Sequence, residues 1–350
     1  MTTVISLFCG CGGMDFAAHD LGLHTTLALD KFPAATDTFK KHFPDSPVVT
    51  SDIYEFNNKS ANPYPSADFL MGGYPCQPFS MGGMRDPSKD DRSSLFIGFA
   101  GAVNKIKPKA FIAENVSGLS RIENGDWLRK QLEVYETQLS VKYNVKYLLV
   151  DAADYGVPQH RKRLFIVGVK KSLDFDYEFP EPTHCKQSLV TKTGLLPHAS
   201  HGAAIAHLNP YPTGEYYERP HDPSGNFSWY FMSRNRRARW DKPSYTIVAN
   251  LRHTTLHPAS PIMTMESSDL KNGFKQKWVF SNEYDHQLYG SDFPQLDPAR
   301  RFSWQEAAAI QTFPAEFEPQ GTLMEKFEQI GNAVPPLLMR HVLANLIPLW

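Results

Sequence analysis

Along the first half of the chain, short apolar or β-branched runs alternate with stretches whose apolar residues return at helical spacing. VISLF, TTLALD, ADFLMGG, AFIAEN, VKYLLV and RLFIVGV, all within residues 1 to about 170, are the strand candidates. That rhythm predicts an α/β sheet with helices on both faces. After Val169 the texture changes to Pro, His and aromatics with few clear periods, up to about Pro294, as in a smaller, loop-rich domain. Helical pattern returns in WQEAAAIQTF and again from Pro335 to the C-terminus, where the segment is apolar enough to need a sheet to pack on.

A chain of 350 residues suits two lobes of unequal size. Lys plus Arg is 36 against 37 for Asp plus Glu, so a nucleic-acid partner must be met by a local basic patch, because the net charge of -1 offers no global attraction. Four cysteines without a CxxC pair argue against a disulfide framework or a metal site and fit a reducing cytoplasm. The N-terminus lacks the basic start and long apolar core of a signal peptide. No apolar run reaches the roughly 20 residues of a membrane helix. A cytoplasmic location away from any membrane is therefore expected.

The stretch GGYPCQPFS (Gly72 to Ser80) fixes a thiol, Cys76, between two prolines where helix and strand propensity are both low. A free cysteine commonly fills a small apolar gap, but such residues sit inside periodic apolar segments, and Cys76 does not. A reactive thiol on a stiff loop at a strand end is the better reading. Upstream, VISLF runs directly into CGCGG, placing Gly10, Gly12 and Gly13 where a strand gives way to a helix and backbone can approach a ligand. Asp30 ends the next strand about 20 residues on, the position from which a carboxylate accepts hydrogen bonds from ribose hydroxyls. Asp52 could end a third strand and reach an adenine amino group, with Ile53 against the base. These residues describe a nucleoside site that suits NAD and S-adenosylmethionine equally.

Two further segments carry chemistry. In AENV, Glu114 emerges from an apolar run, where desolvation would raise a carboxyl pKa and let the group stay protonated and donate. In YGVPQHRKRLFIVG, Gln159, Arg161 and Arg163 alternate before a strand and would share a face. With glycine loop, PCQP, ENV, QxRxR, a basic region and IGNAVPP in that order, the sequence resembles the cytosine-C5 DNA methyltransferases over nearly its full length, and within them the branch that methylates GGCC.

The resemblance implies a Rossmann-like, S-adenosylmethionine-dependent methyltransferase sheet over residues 1–172 and 320–350, and a target-recognition domain with the return segment over 173–319. SLFCGCGG looks like the cofactor loop, with Phe8 against the methionine portion, and QIGNAVPP brings Asn332 and Val334 to the same pocket. Cys76 would attack carbon 6 of a cytosine, Glu114 would donate to N3, and Arg163 would hold O2. The base would be flipped out of the duplex under a lid formed by Ser80 to Asp91. Ser80 and Arg161 would contact DNA. Between Met232 and His257, Arg234, Arg236, Arg237, Arg239, Lys242 and Arg252 are opposed along the sequence only by Asp241, and the resemblance makes Arg234, Arg236 and Arg252 the base readers.

The sequence departs from the family pattern in three places: Ser6 replaces a common Asp, Ala17 a common Gly, and WQEAAAIQTFP lacks two usual arginines, the last touching stability more than chemistry. The partner implied is double-stranded DNA, met by a monomer in a bacterium or phage, with a restriction endonuclease acting on the same site without direct contact. A transfer-RNA methyltransferase of the same fold, a catalytically silent DNA-binding protein and an NAD-dependent oxidoreductase are the rivals. The arginine-rich region disfavours the first and the set of Cys76, Glu114 and Arg163 the second. PCQP, ENV and IGNAVPP have no purpose in the third.

Overall fold

The β-branched runs form strands: β1 (Thr3–Leu7), β2 (His24–Asp30), β3 (Val48–Thr50), β4 (Phe69–Gly72), β5 (Ala110–Val116), β6 (Tyr143–Asp151) and β7 (Lys162–Lys170). They make one seven-stranded sheet in the order β3-β2-β1-β4-β5-β7-β6, in which β7 alone runs antiparallel to its neighbours. The central strands β1, β4 and β5 are buried almost throughout, which is why they read as continuous apolar runs rather than alternating ones. Helices α1 (Gly13–Asp20), α2 (Pro33–His42), α3 (Ile53–Asn57), α4 (Leu95–Ile106) and α5 (Asp126–Glu133) accompany the sheet. The pleat sorts its two faces. Leu27 and Leu29 pack with Ile53, Phe99 and Phe111, while Ala28 between them packs with Phe39 and Phe43 of the α2 side.

The computed structural model describes residues 1–58, 63–75, 95–120, 122–218, 227–269 and 275–350. The chain divides into one unit of Met1–Tyr155, Lys162–Pro182 and Ala333–Trp350, and a second of Gly156–Arg161 and Thr183–Asn332. These limits differ from 172 and 320. Gly156–Arg161 joins the second unit because the His160 amide donates to Ser244 O and the Ile247 amide donates to Gln159 Oε1.

The second unit carries short elements: β8 (His184–Cys185), α6 (Val190–Thr193), β9 (Leu196–Pro197), α7 (His201–Ile205), the hairpin β10 (Met263–Asp269) and β11 (Lys275–Phe280), then α8 (Trp304–Ile310) and α9 (Leu323–Asn332). With so few ladders, side chains must satisfy the backbone. Arg237 does so while ion-paired: its Nε donates to Ser260 O at 3.0 Å, and Nη1 to Asp285 Oδ2 at 2.8 Å. Gln311 Nε2 donates to Ile330 O at 2.6 Å, tying α8 to α9, so α9 belongs here and only Ala333 onward returns to the first unit. There α10 (Pro336–Ala344) buries Leu338, Met339, Val342 and Leu343 and packs on α1. Among the described residues no helix is long and apolar enough to cross a membrane.

Candidate active site

The glycine loop is built as a tight turn between β1 and α1. Phe8, Gly10 and Gly12 all take positive φ, and at Gly12 a Cβ would lie 2.6 Å from the Phe43 ring, so only glycine fits. Asp30, at the end of β2, holds this turn directly: Oδ2 accepts the Gly10 N–H and Oδ1 accepts the Phe32 N–H, each at 2.9 Å. Burial raises its pKa, opposed by these same hydrogen bonds. On the other side of the loop, Gly13 meets the return segment, where a Cβ would sit 2.5 Å from Val334 O and 3.2 Å from Ala333 Cβ. Asn332 falls in the second unit.

Asp52 requires a correction. It does not end a strand, because β3 stops at Thr50; Asp52 is the N-cap of α3, and its Oδ1 accepts the Tyr54 N–H at 2.8 Å. Ile53 behind it is buried against Gly98 of α4.

Beneath the loop lies a group that the sequence reading passed over. Asp15 of α1 is fully buried, with Ser6 Oγ donating to its Oδ2 at 2.8 Å and Thr25 Oγ1 to its Oδ1 at 2.9 Å. Burial pushes its pKa up to about 7, against the pull of those hydroxyls. Ser6, legible only as a departure from a pattern, was the one signal pointing here. Cys9 and Cys11 are buried beside it, and burial raises both thiols, Cys11 to about 12, so neither is poised to react.

Glu114 and Arg163 come together by register. β5 and β7 pair antiparallel with Val116 opposite Arg163, which brings Arg163 Nε to 2.7 Å from Glu114 Oε1, both side chains nearly buried. Burial lowers the Arg163 pKa, and the Glu114 carboxylate opposes that shift. Gly73 makes room for the pair, since a Cβ there would stand 2.9 Å from Glu114 Oε2. The next residue of the strand, Asn115, donates from Nδ2 to Tyr74 O at 3.2 Å. Glu114, Arg163 and the chain from Gly73 to Pro75 therefore share one end of the sheet. Cys76, Ser80 and the segment to Asp91 lie outside the described residues.

In the second unit the arginines divide sharply. Arg161 is fully buried, its Nη1 donating to Ile247 O at 3.0 Å and Nη2 to Gly331 O at 2.7 Å. It clamps backbone and is closed to DNA, which corrects the expectation of a DNA contact. Arg237 is neutralised by Asp285, a partner 48 residues away that no local count of charge could supply. Arg239 pairs with Asp241 at 3.1 Å. Arg236 is nearly buried, with Nε donating to Phe231 O at 3.1 Å and the guanidinium 4.9 Å from the Phe231 ring centre, so it is a pre-set fork rather than an open side chain. Arg234 and Arg252 are exposed, as is Trp229 at 80%. His253 registers the cations around it: burial lowers its pKa first, and Arg236, Arg234, Arg301 and Arg252 lower it further.

Comparison with known proteins agrees with this geometry. The family model for the C-5 cytosine-specific DNA methylase matches residues 2–348. Type II methyltransferase M.BspRI of Lysinibacillus sphaericus is 33% identical over 377 residues, covering 97% of this chain and 80% of that protein. M.BsuRI of Bacillus subtilis is 33% identical over 385 residues, covering 99% of this chain and 79% of that one. Among solved structures, the S. pombe Dnmt2 methyltransferase superposes with a TM-score of 0.65 at 16% identity, covering 100% of this chain and 99% of that one. Entamoeba histolytica methyltransferase EhMeth gives 0.64 at 14% identity, covering 99% and 98%. Those two likenesses speak to the fold alone, that of the S-adenosylmethionine-dependent methyltransferases. With a seven-stranded sheet carrying an antiparallel β7, an acid-held glycine loop and a buried Glu–Arg pair, the chain belongs to the C-5 cytosine-specific DNA methylase family.

Proposed function

We propose that the protein is a DNA (cytosine-5-)-methyltransferase acting on a short GC-rich duplex site of the GGCC kind, as a monomer in the cytoplasm of a bacterium, within a restriction-modification system. The observation that carries this is the buried Glu114–Arg163 pair beside Gly73, on the chain that runs through Pro75 directly into Cys76 of the PCQ motif.

The residues fit S-adenosylmethionine. At Gly10 the space a side chain would fill is open, the Asp30 carboxylate beside it would accept ribose hydroxyls, and Phe8 belongs to the same loop. Val334 backs Gly13 from behind. Asp52 and Ile53 sit at the start of α3, on the side proposed for adenine. The cofactor supplies an electrophilic methyl group for carbon 5 of the base.

Carbon 5 of cytosine is too weak a nucleophile to take that methyl unaided. The Cys76 sulfur forms a bond to carbon 6, pushing the ring electrons towards carbon 5. Glu114, protonated on Oε2 when the base is bound while Oε1 stays on Arg163, gives that proton to N3, and Arg163 directs its remaining N–H groups at O2. After methylation the carbon 5 proton leaves to a base, the carbon 6–sulfur bond breaks, the thiolate departs and N3 returns its proton to Glu114. The ring stack of a duplex blocks carbon 6, so the cytosine is flipped out, with Ser80 among the groups that contact the DNA. Arg234 and Arg252, both exposed, read guanine edges together with Arg236. Arg236 is already ordered and loses little side-chain freedom on binding.

The test is covalent trapping. A duplex with 5-fluorocytosine at the GGCC target should form a denaturation-resistant adduct with the wild type and none with Cys76→Ser, while a duplex of scrambled site should form none with either. An adduct with Cys76→Ser removes the mechanism, and equal trapping on the scrambled site removes the specificity.

A further inference from the structure

A chain of buried hydroxyls runs through an otherwise apolar core one residue away from Pro75. Tyr135 Oη donates to Tyr74 Oη at 3.2 Å, and Tyr74 Oη donates to Gln131 Oε1 at 2.7 Å. Tyr135, Tyr74 and Gln131 are all buried, and the tyrosines sit in one cluster with Phe99, Phe111 and Leu128. Phenylalanine and leucine would fill the same space without polar atoms to satisfy, so stability alone does not account for the chain. Nor does helix propensity. α5 ends at Glu133 and continues as a π-helical turn, Val134–Gln138, a form that is rare and concentrates at functional sites. The turn carries Tyr135 to Tyr74. Burial raises the Tyr135 pKa, which keeps that hydroxyl a neutral donor.

Tyr74 is held at its other ends too. Its carbonyl accepts Asn115 Nδ2, the residue after Glu114, and its ring meets Phe8 of the glycine loop edge-on at 6.1 Å between centroids. Hydroxyl, carbonyl and ring are thus fixed from three directions, and Pro75 then restricts the one peptide before Cys76.

We propose that Tyr135, Tyr74 and Gln131 form a positioning relay that fixes the approach of the chain into Cys76. This rests on Cys76 being the nucleophile. None of the three touches the base. They act through the backbone, where a shift of a fraction of an ångström in sulfur position slows attack on carbon 6.

Single-turnover trapping by the 5-fluorocytosine duplex, at saturating DNA and cofactor, separates positioning from scaffolding. Tyr74→Phe keeps the ring and removes the middle hydroxyl. Adduct formation should slow about three- to ten-fold, with duplex and cofactor Kd within about two-fold, while the thermal midpoint falls because the buried Tyr135 hydroxyl and Gln131 amide lose their partner. Tyr135→Phe should slow it in the same direction, and serves if Tyr74→Phe does not fold. The double variant Tyr74→Phe/Gln131→Leu should be no slower than Tyr74→Phe, because the relay works as one unit. Wild-type rates in both single variants, or slowing matched by an equal loss of duplex or cofactor affinity, would overturn the relay. Failure of the wild type to trap would instead sink the nucleophile reading, so the two failures are distinguishable.

Discussion

Asp15 shows how far a single residue can hide in a sequence. Asp30 was legible because a strand end about 20 residues after a glycine loop calls for a carboxylate. What could not be read is that one of its oxygens holds the loop itself at the Gly10 N–H, while the other accepts the Phe32 N–H just beyond its own strand. Asp15 gave no such signal, since an acid in the first turn of a helix is ordinary. Its folded pKa of about 7 lies above the ordinary value of 3.8, so the folded protein binds the proton more tightly than the unfolded chain. Stability from this group is therefore full below about pH 4, falls as pH rises towards 7, and stays low above that. Asp15→Asn should flatten that slope and stabilise the protein at pH 8 by on the order of 1–4 kcal/mol. Urea midpoints of both proteins from pH 4 to 8 decide it, and parallel slopes would exclude Asp15 as the source.

Elements were legible where the pattern was strong. The strand runs of β1, β2, β4, β5, β6 and β7 and the pattern of α8 and α10 could all be read, because buried sheet and amphipathic helix leave clear periods. The hairpin β10–β11 could not be read: β10 is exposed along all but its first residue, so no alternation marks it. Around α8, the lack of two arginines within WQEAAAIQTFP looked like a weakness, yet the charge is supplied from just upstream. Arg300 donates to Glu306 from Nη1 at 2.8 Å and Nη2 at 2.7 Å, and Glu306 closes a capping box with Ser303. Two substitutions should separate these contributions. Ser303→Ala loses one cap and should cost about 1 kcal/mol. Glu306→Ala leaves the buried Arg300 without its partner and should cost about 3–5 kcal/mol. Denaturant unfolding of the two variants checks the ratio, and equal losses would mean that the ion pair contributes nothing beyond the cap.

At the scale of the whole molecule, the two units carry opposite acid responses. In the second unit, His201, His257 and His286 are buried around Trp240, Phe293 and Phe302. His201 Nδ1 donates to Lys242 O, His286 Nε2 donates to Phe293 O, and His257 Nδ1 accepts the Ala259 N–H, with its Nε2 3.5 Å from Glu306 Oε1. Burial lowers all three, His201 to about 4, and Arg237 lowers each further. Arg300 also lowers His257, while Asp285 raises His201 and His286 and Asp241 raises His201, and burial outweighs both acids. A histidine whose folded pKa is depressed stabilises the fold above its unfolded value of about 6.5, and that contribution is lost as pH falls from there towards 4. Over the same interval the Asp15 contribution in the first unit grows. Acidification should therefore open the second unit first. Hydrogen exchange at pH 7 and pH 5, corrected for intrinsic rates, should show protection falling around Trp240 and α8 while β1, β4 and β5 keep theirs. A uniform fall across both units would mean that they unfold as one cooperative body and that the histidines do not set the order.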